Sequence, residues 1–146
     1  MTPPSRGALY SPQMLALAVS LSDYPLTGSL QFSAEASSRV CGSRLRFECS
    51  TNPGGAIERL GLQVSACAVG QAAAAVFAQG AAGKSRSDIE TGLTALLSWL
   101  EGSGALPEWP GIDALEPAVP HKGRHAAIQL PWKAALDALC KGSPRG

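Results

Sequence analysis

The sequence is short of charge. Asp, Glu, Lys and Arg make up 16% of its 146 residues, against roughly 25% in typical soluble domains, and the formal net charge is only +1. So neutral a chain carries no basic field for nucleic acid and none that would draw it to an acidic membrane face. Neither is an expected partner. The four cysteines, Cys41, Cys49, Cys67 and Cys140, include no C-x-x-C pair, which argues against a zinc ribbon and a thioredoxin motif. The opening Met-Thr-Pro-Pro-Ser-Arg-Gly has no apolar core behind its charge, so no secretory signal is read. Sparse cysteines without such a signal predict free thiols in a reducing, cytoplasmic setting.

Other absences narrow the chemistry. Residues 66–82 are nearly uncharged, but they are mostly alanine and include Gln71 and Gln79. A membrane span needs about 20 strongly apolar residues, so a buried helix is expected instead. Gly83-Lys84-Ser85 has the ending of a phosphate loop, yet Ala78-Gln79 stand where the first glycine belongs, and a helix rather than a strand precedes it. No glycine-flanked loop carries paired carboxylates. Cys67 with His121 or His125 would make a nucleophile–base pair, but no residue is placed to orient either imidazole.

What the chain does have is a junction. A β-like segment from Ile57 to Ala66 runs into Cys67, and a small-residue helix starts directly behind it. Orphan N–H groups and the positive dipole end of that helix would lie close to the sulfur, a setting that favours thiolate over thiol. The plainer alternative is a buried cysteine acting as a small hydrophobe.

Around this junction the periodicities predict one domain over residues 9–141, flanked by flexible tails at 1–8 and 142–146. Ser11-Pro12 opens an amphipathic helix, which ends at Tyr24-Pro25. Leu30–Ala34 alternates weakly. Arg44–Cys49 alternates cleanly, with Leu45, Phe47 and Cys49 on one face and charges on the other. Leu60, Leu62 and Val64 share a face of a third strand. An antiparallel meander with one wet face follows. Gly80 and Gly83 should stop the alanine helix, and Ser85 with Asp88 resembles a capping box for the next one. Gly92 costs that helix about 1 kcal/mol against Ala, which close packing would explain. Residues 102–123, with Pro107, Pro110, Pro117 and Pro120, read as an irregular connector with at most one helical turn. The last helix, Arg124 to Cys140, should kink or restart at Pro131. Cys49 is expected in the core and Cys140 to be incidental.

The order of these features resembles the U-type iron–sulfur cluster assembly scaffold family (IscU/SufU-like proteins and the NifU N-terminal domain) over roughly residues 9–140. Asp23-Tyr24-Pro25-Leu26-Thr27-Gly28-Ser29-Leu30 is shaped like the family's segment after its first helix. Val40-Cys41-Gly42-Ser43 looks like its first-cysteine loop, and Cys67-Ala68-Val69-Gly70-Gln71-Ala72 like its second-cysteine motif. Arg124-His125-Ala126-Ala127 is similar to its last helix, where an Arg precedes the third cysteine by three positions.

The resemblance implies an α+β fold, a three-stranded antiparallel sheet with helices packed on one face. It implies a non-enzymatic scaffold or carrier that receives sulfur from a cysteine desulfurase, assembles a [2Fe–2S] cluster or binds zinc or iron, and passes its cargo to apo acceptor proteins. In the family three cysteines and an aspartate converge. Here Ser43 stands at the aspartate position and Ala127 at the third cysteine, leaving Cys41 and Cys67. His125, two residues before Ala127 and so roughly 200° around a helix from it, is a weak substitute ligand, as is Ser43. Three readings follow. Cys41 and Cys67 hold iron or sulfur, with a homodimer placing four thiolates around one cluster. Alternatively, with no cofactor, Cys67 takes a persulfide and Cys41 resolves it or pairs with it. Or the chain is a partner-binding module without chemistry.

Overall fold

The computed structural model describes residues 11–141; the tails expected at 1–8 and 142–146 lie outside them. Helix α1 (Pro12–Ser20) begins where the sequence predicts, with the Ser11 side chain accepting a hydrogen bond from the Met14 N–H at 3.1 Å. Three strands follow, β1 (Phe32–Ser37), β2 (Arg44–Thr51) and β3 (Ile57–Ser65), paired antiparallel in the order β1-β2-β3. Then come α2 (Ala68–Ala81), α3 (Arg86–Leu100) and α4 (His125–Lys141). This is the expected α+β meander with helices, and β1 starts two residues later than Leu30.

On β2 the inward residues Leu45, Phe47 and Cys49 are buried, and α4 packs against β1 and β2 while α2 packs against β3. Phe47 meets Phe77 of α2 edge-on, with centroids 5.9 Å apart. Phe77 in turn stacks on Trp109 at 5.3 Å and meets Trp132 of α4 edge-on at 5.2 Å. Such rings bury large apolar areas and add geometric preference to the packing.

Several expectations need correction. Gly80 does not end α2, which runs on to Ala81. Its role is space, because a Cβ there would stand 2.5 Å from Trp109 Nε1, and that indole donates to the Val76 carbonyl at 3.0 Å. Gly92 of α3 approaches the six-membered ring of the same indole, with a Cβ there 3.0 Å from Trp109 Cε3. The connector is more ordered than predicted. It carries 3-10 turns at Ile112–Ala118 and Lys122–Arg124, and Trp109 anchors it in the core. Pro131 does not restart α4, which continues through it.

The outer face of the sheet is only partly wet. Arg44 and Arg46 are exposed, but Glu48 is buried beneath residues 24–30. Its carboxylate accepts hydrogen bonds from the Thr27 N–H (2.6 Å), the Thr27 hydroxyl (2.8 Å), the Gly28 N–H (2.9 Å) and the Leu30 N–H (3.3 Å). Gly61 pairs with Glu48 across the sheet, and a side chain there would collide with the Pro25 carbonyl. Burial pulls the Glu48 pKa up, yet these hydrogen bonds outweigh it and hold the carboxyl below its ordinary value.

Candidate functional site

The β1–β2 connection, Ser38 to Ser43, is closed by the Ser38 N–H donating to the Ser43 carbonyl and the Gly42 N–H to the Ser38 carbonyl, both at 2.9 Å. Gly42 adopts φ +72°, a left-handed conformation that costs glycine nothing. The chain therefore turns immediately after Cys41, leaving that side chain exposed while Ser43 is buried. At the same end of the sheet, Ser65 ends β3 opposite Arg44, and two residues later Cys67 is the N-cap of α2.

Cys41, Gly42, Ser43, Ser65, Ala66, Cys67 and Arg124 line one open cleft of about 280 Å³. Two thiols separated by much of the sheet in sequence thus share one hollow. Cys41 Sγ lies 3.1 Å from Ser43 Oγ. Hydrogen bonding from that hydroxyl is the main reason the Cys41 thiol sits below its ordinary pKa, with slight burial opposing it and Ser38 assisting. Cys67 is half-buried and its side chain makes no capping hydrogen bond to the helix it precedes.

The remaining predicted positions divide. Ser43 is in the cleft, but as the partner of Cys41. Ala127 is buried and does not line the cleft; it packs against the start of α2, where a Cβ added to Gly70 would stand 2.7 Å from the Ala66 Cβ and 3.2 Å from the Ala127 Cβ. His125 does not line the cleft, and its Nε2 is 2.7 Å from the Val119 carbonyl, so it serves the connector. Cys49 is fully buried and its thiol is pushed up to about 12 by burial, with Glu48 adding to it. Cys140 is exposed near the far end of α4. Ser65 and Ala66 were not among the predicted site residues; they follow from the position of the strand end, which alternation alone cannot place.

A four-coordinate metal centre needs four donors of the Cys, His or Asp type. Among the described residues no group of three or more His, Cys, Asp or Glu comes together. Within one chain the donor set does not fit such a centre. A larger hollow of about 820 Å³ between α3 and residues 104–109 is lined by neither cysteine nor histidine.

No family model and no curated protein sequence matches the chain. Solved structures do. A nitrogen-fixing NifU-like protein (N-terminal) from Brucella abortus superposes with TM-score 0.87 at 23% identity, covering 97% of this chain and 99% of its own. A candidate iron–sulfur cluster assembly scaffold protein for the SUF system from Fervidobacterium islandicum AW-1 superposes with TM-score 0.79 at 18% identity, covering 91% and 98%. The chain therefore has the fold of these two proteins over nearly its whole length. No helix among the described residues is long and apolar enough to cross a membrane.

Proposed function

We propose that this chain serves iron–sulfur cluster assembly as a carrier of sulfur, taking sulfane sulfur from a cysteine desulfurase onto the two-thiol cleft and passing it to acceptor proteins. The observation that carries this reading is the placement of Cys41 and Cys67 in one open cleft, with the Ser43 hydroxyl on the Cys41 sulfur. A thiolate is the attacking form, and Cys41 is both exposed and held towards that form. Its sulfur attacks the terminal sulfur of the desulfurase persulfide. The S–S bond on the desulfurase breaks, the desulfurase thiolate leaves, and Cys41 carries the persulfide. The shared fold with two proteins described as NifU-like and as an assembly scaffold supports the setting.

Incubation with a desulfurase and cysteine, followed by mass spectrometry of the cysteine peptides, tests this. Added sulfur on Cys41 or Cys67 is expected; unmodified masses on both would end the reading. A second reading is favoured by the exposure of Cys41: two copies facing each other would supply four thiolates to a bridging [2Fe–2S] cargo. Anaerobic reconstitution with iron and sulfide should then give a coloured dimer, and a colourless monomer would eliminate it.

A further inference from the structure

We propose that the cleft performs a step beyond acceptance: Cys67 resolves the persulfide on Cys41 to an internal disulfide, and the sulfur leaves as hydrogen sulfide. This rests on the carrier reading above, and the test below separates the two.

Proximity comes from the sheet. Arg44 pairs with Ser65 at the end of the β2–β3 ladder, so Cys41, three residues before Arg44, and Cys67, two residues after Ser65, leave the sheet at the same end. There both cysteines line one cleft of about 280 Å³, a space small enough to bring the two residues together.

No other thiol competes. Cys49 is sealed in the core, and Cys140 lies fifteen residues along α4 from His125, on the order of 20 Å away at the helical rise. Nor is there a third ligand to retain the sulfur in a metal site, since among the described residues no group of three or more His, Cys, Asp or Glu comes together. Dithiol–disulfide exchange is the chemistry that a two-thiol cleft balances alone.

The step runs as follows. The Cys67 sulfur attacks Cys41 Sγ, the inner sulfur of the persulfide. The bond between Sγ and the terminal sulfur breaks, with its electron pair going to the terminal sulfur. That sulfur takes up the Cys67 proton and a second proton already on the persulfide, and departs as hydrogen sulfide. The sulfane sulfur gains two electrons and the two cysteines lose two in forming their bond. Ser43 and Arg124 line the same cleft, where negative charge develops. A low-molecular-weight thiol or a dithiol protein returns the disulfide to its starting state.

The full chain carrying Cys140→Ser is treated with glutathione persulfide, desalted, and followed by non-reducing intact mass and a sulfide electrode. It should end two hydrogens lighter and release one sulfide per chain. The same protein with Cys67→Ser should keep one extra sulfur atom and release none; serine is a preferred N-cap, so that variant retains its helix start. Equal persistence of the added sulfur in both proteins would overturn the resolving step and leave acceptance standing. A disulfide-linked pair of chains in place of the internal bond would also overturn it. If neither protein gains sulfur or loses hydrogens, the carrier reading itself falls.

Discussion

The Ala127 methyl stands behind Gly70, one turn into the helix that begins at Cys67. A Cβ added to Gly70 would come within 3.2 Å of it. The residue at the expected third-ligand position is therefore packed against the first turn of that helix, where its methyl offers a metal no donor.

Restoring that chemistry should restore metal binding. The double substitution Ser43→Asp with Ala127→Cys brings the donors to three cysteines and a carboxylate. Metal analysis after zinc loading and desalting should rise to about one zinc per chain, the stoichiometry of a closed four-ligand site, with wild type well below it. Equal zinc in both proteins would mean that these positions do not converge.

Cys41 should be alkylated at lower pH than an ordinary thiol, because the Ser43 hydroxyl favours its charged form. Iodoacetamide labelling read by peptide mapping as a function of pH checks this. Ser43→Ala should move the Cys41 midpoint upward and leave labelling of Cys140 unchanged. A midpoint that stays put would show that the hydroxyl does not act on the sulfur.

Glu48 should make the protein acid-sensitive. Its folded pKa is depressed, so its contribution is whole above the ordinary carboxylate value of 4.5 and is lost as pH falls through that value towards the folded one. Glu48→Gln removes the charge from four hydrogen bonds and should cost about 2–3 kcal/mol at neutral pH. Urea unfolding should show the gap between the two proteins narrowing below pH 4.5. A gap independent of pH would remove the charged carboxylate from the explanation.

Gly80→Ala and Gly92→Ala both raise helix propensity, by roughly 1 kcal/mol each. The close approach of Trp109 reverses the sign at Gly80, where the new methyl would meet the indole at 2.5 Å. Overpacking of this kind costs about 1–3 kcal/mol, so Gly80→Ala should lower the melting temperature. Gly92→Ala, at 3.0 Å from the ring edge, should fall closer to neutral. A stabilised Gly80→Ala would show that Trp109 can yield.

The elements that the sequence makes legible are those set by local rules. Ser11-Pro12, the Ser85–Asp88 box and the clean alternation of Leu45, Phe47 and Cys49 each follow from one turn of helix or one face of strand. The nearness of Cys41 and Cys67 was an expectation from resemblance, and the ladder ending at Arg44 and Ser65 supplies its geometry. What escaped is non-local. Glu48 alternates like a solvent-facing residue, and only the crossing of residues 24–30 over the sheet buries it. Gly80 reads as a helix stop until a tryptophan from a proline-rich stretch is seen to lie on it. Pro131 breaks the pattern on paper, while the helix around it continues through the core.

Trp109 gives the connector a consequence of its own. Wedged between two helices at one end, and tied through His125 to Val119 at the other, the segment delivers Arg124 to the rim of the cleft as a fixed fitting rather than a swinging arm. Damage to the indole's seat, at a residue that does not line the cleft, would then be felt as a shifted Arg124 beside the two cysteines.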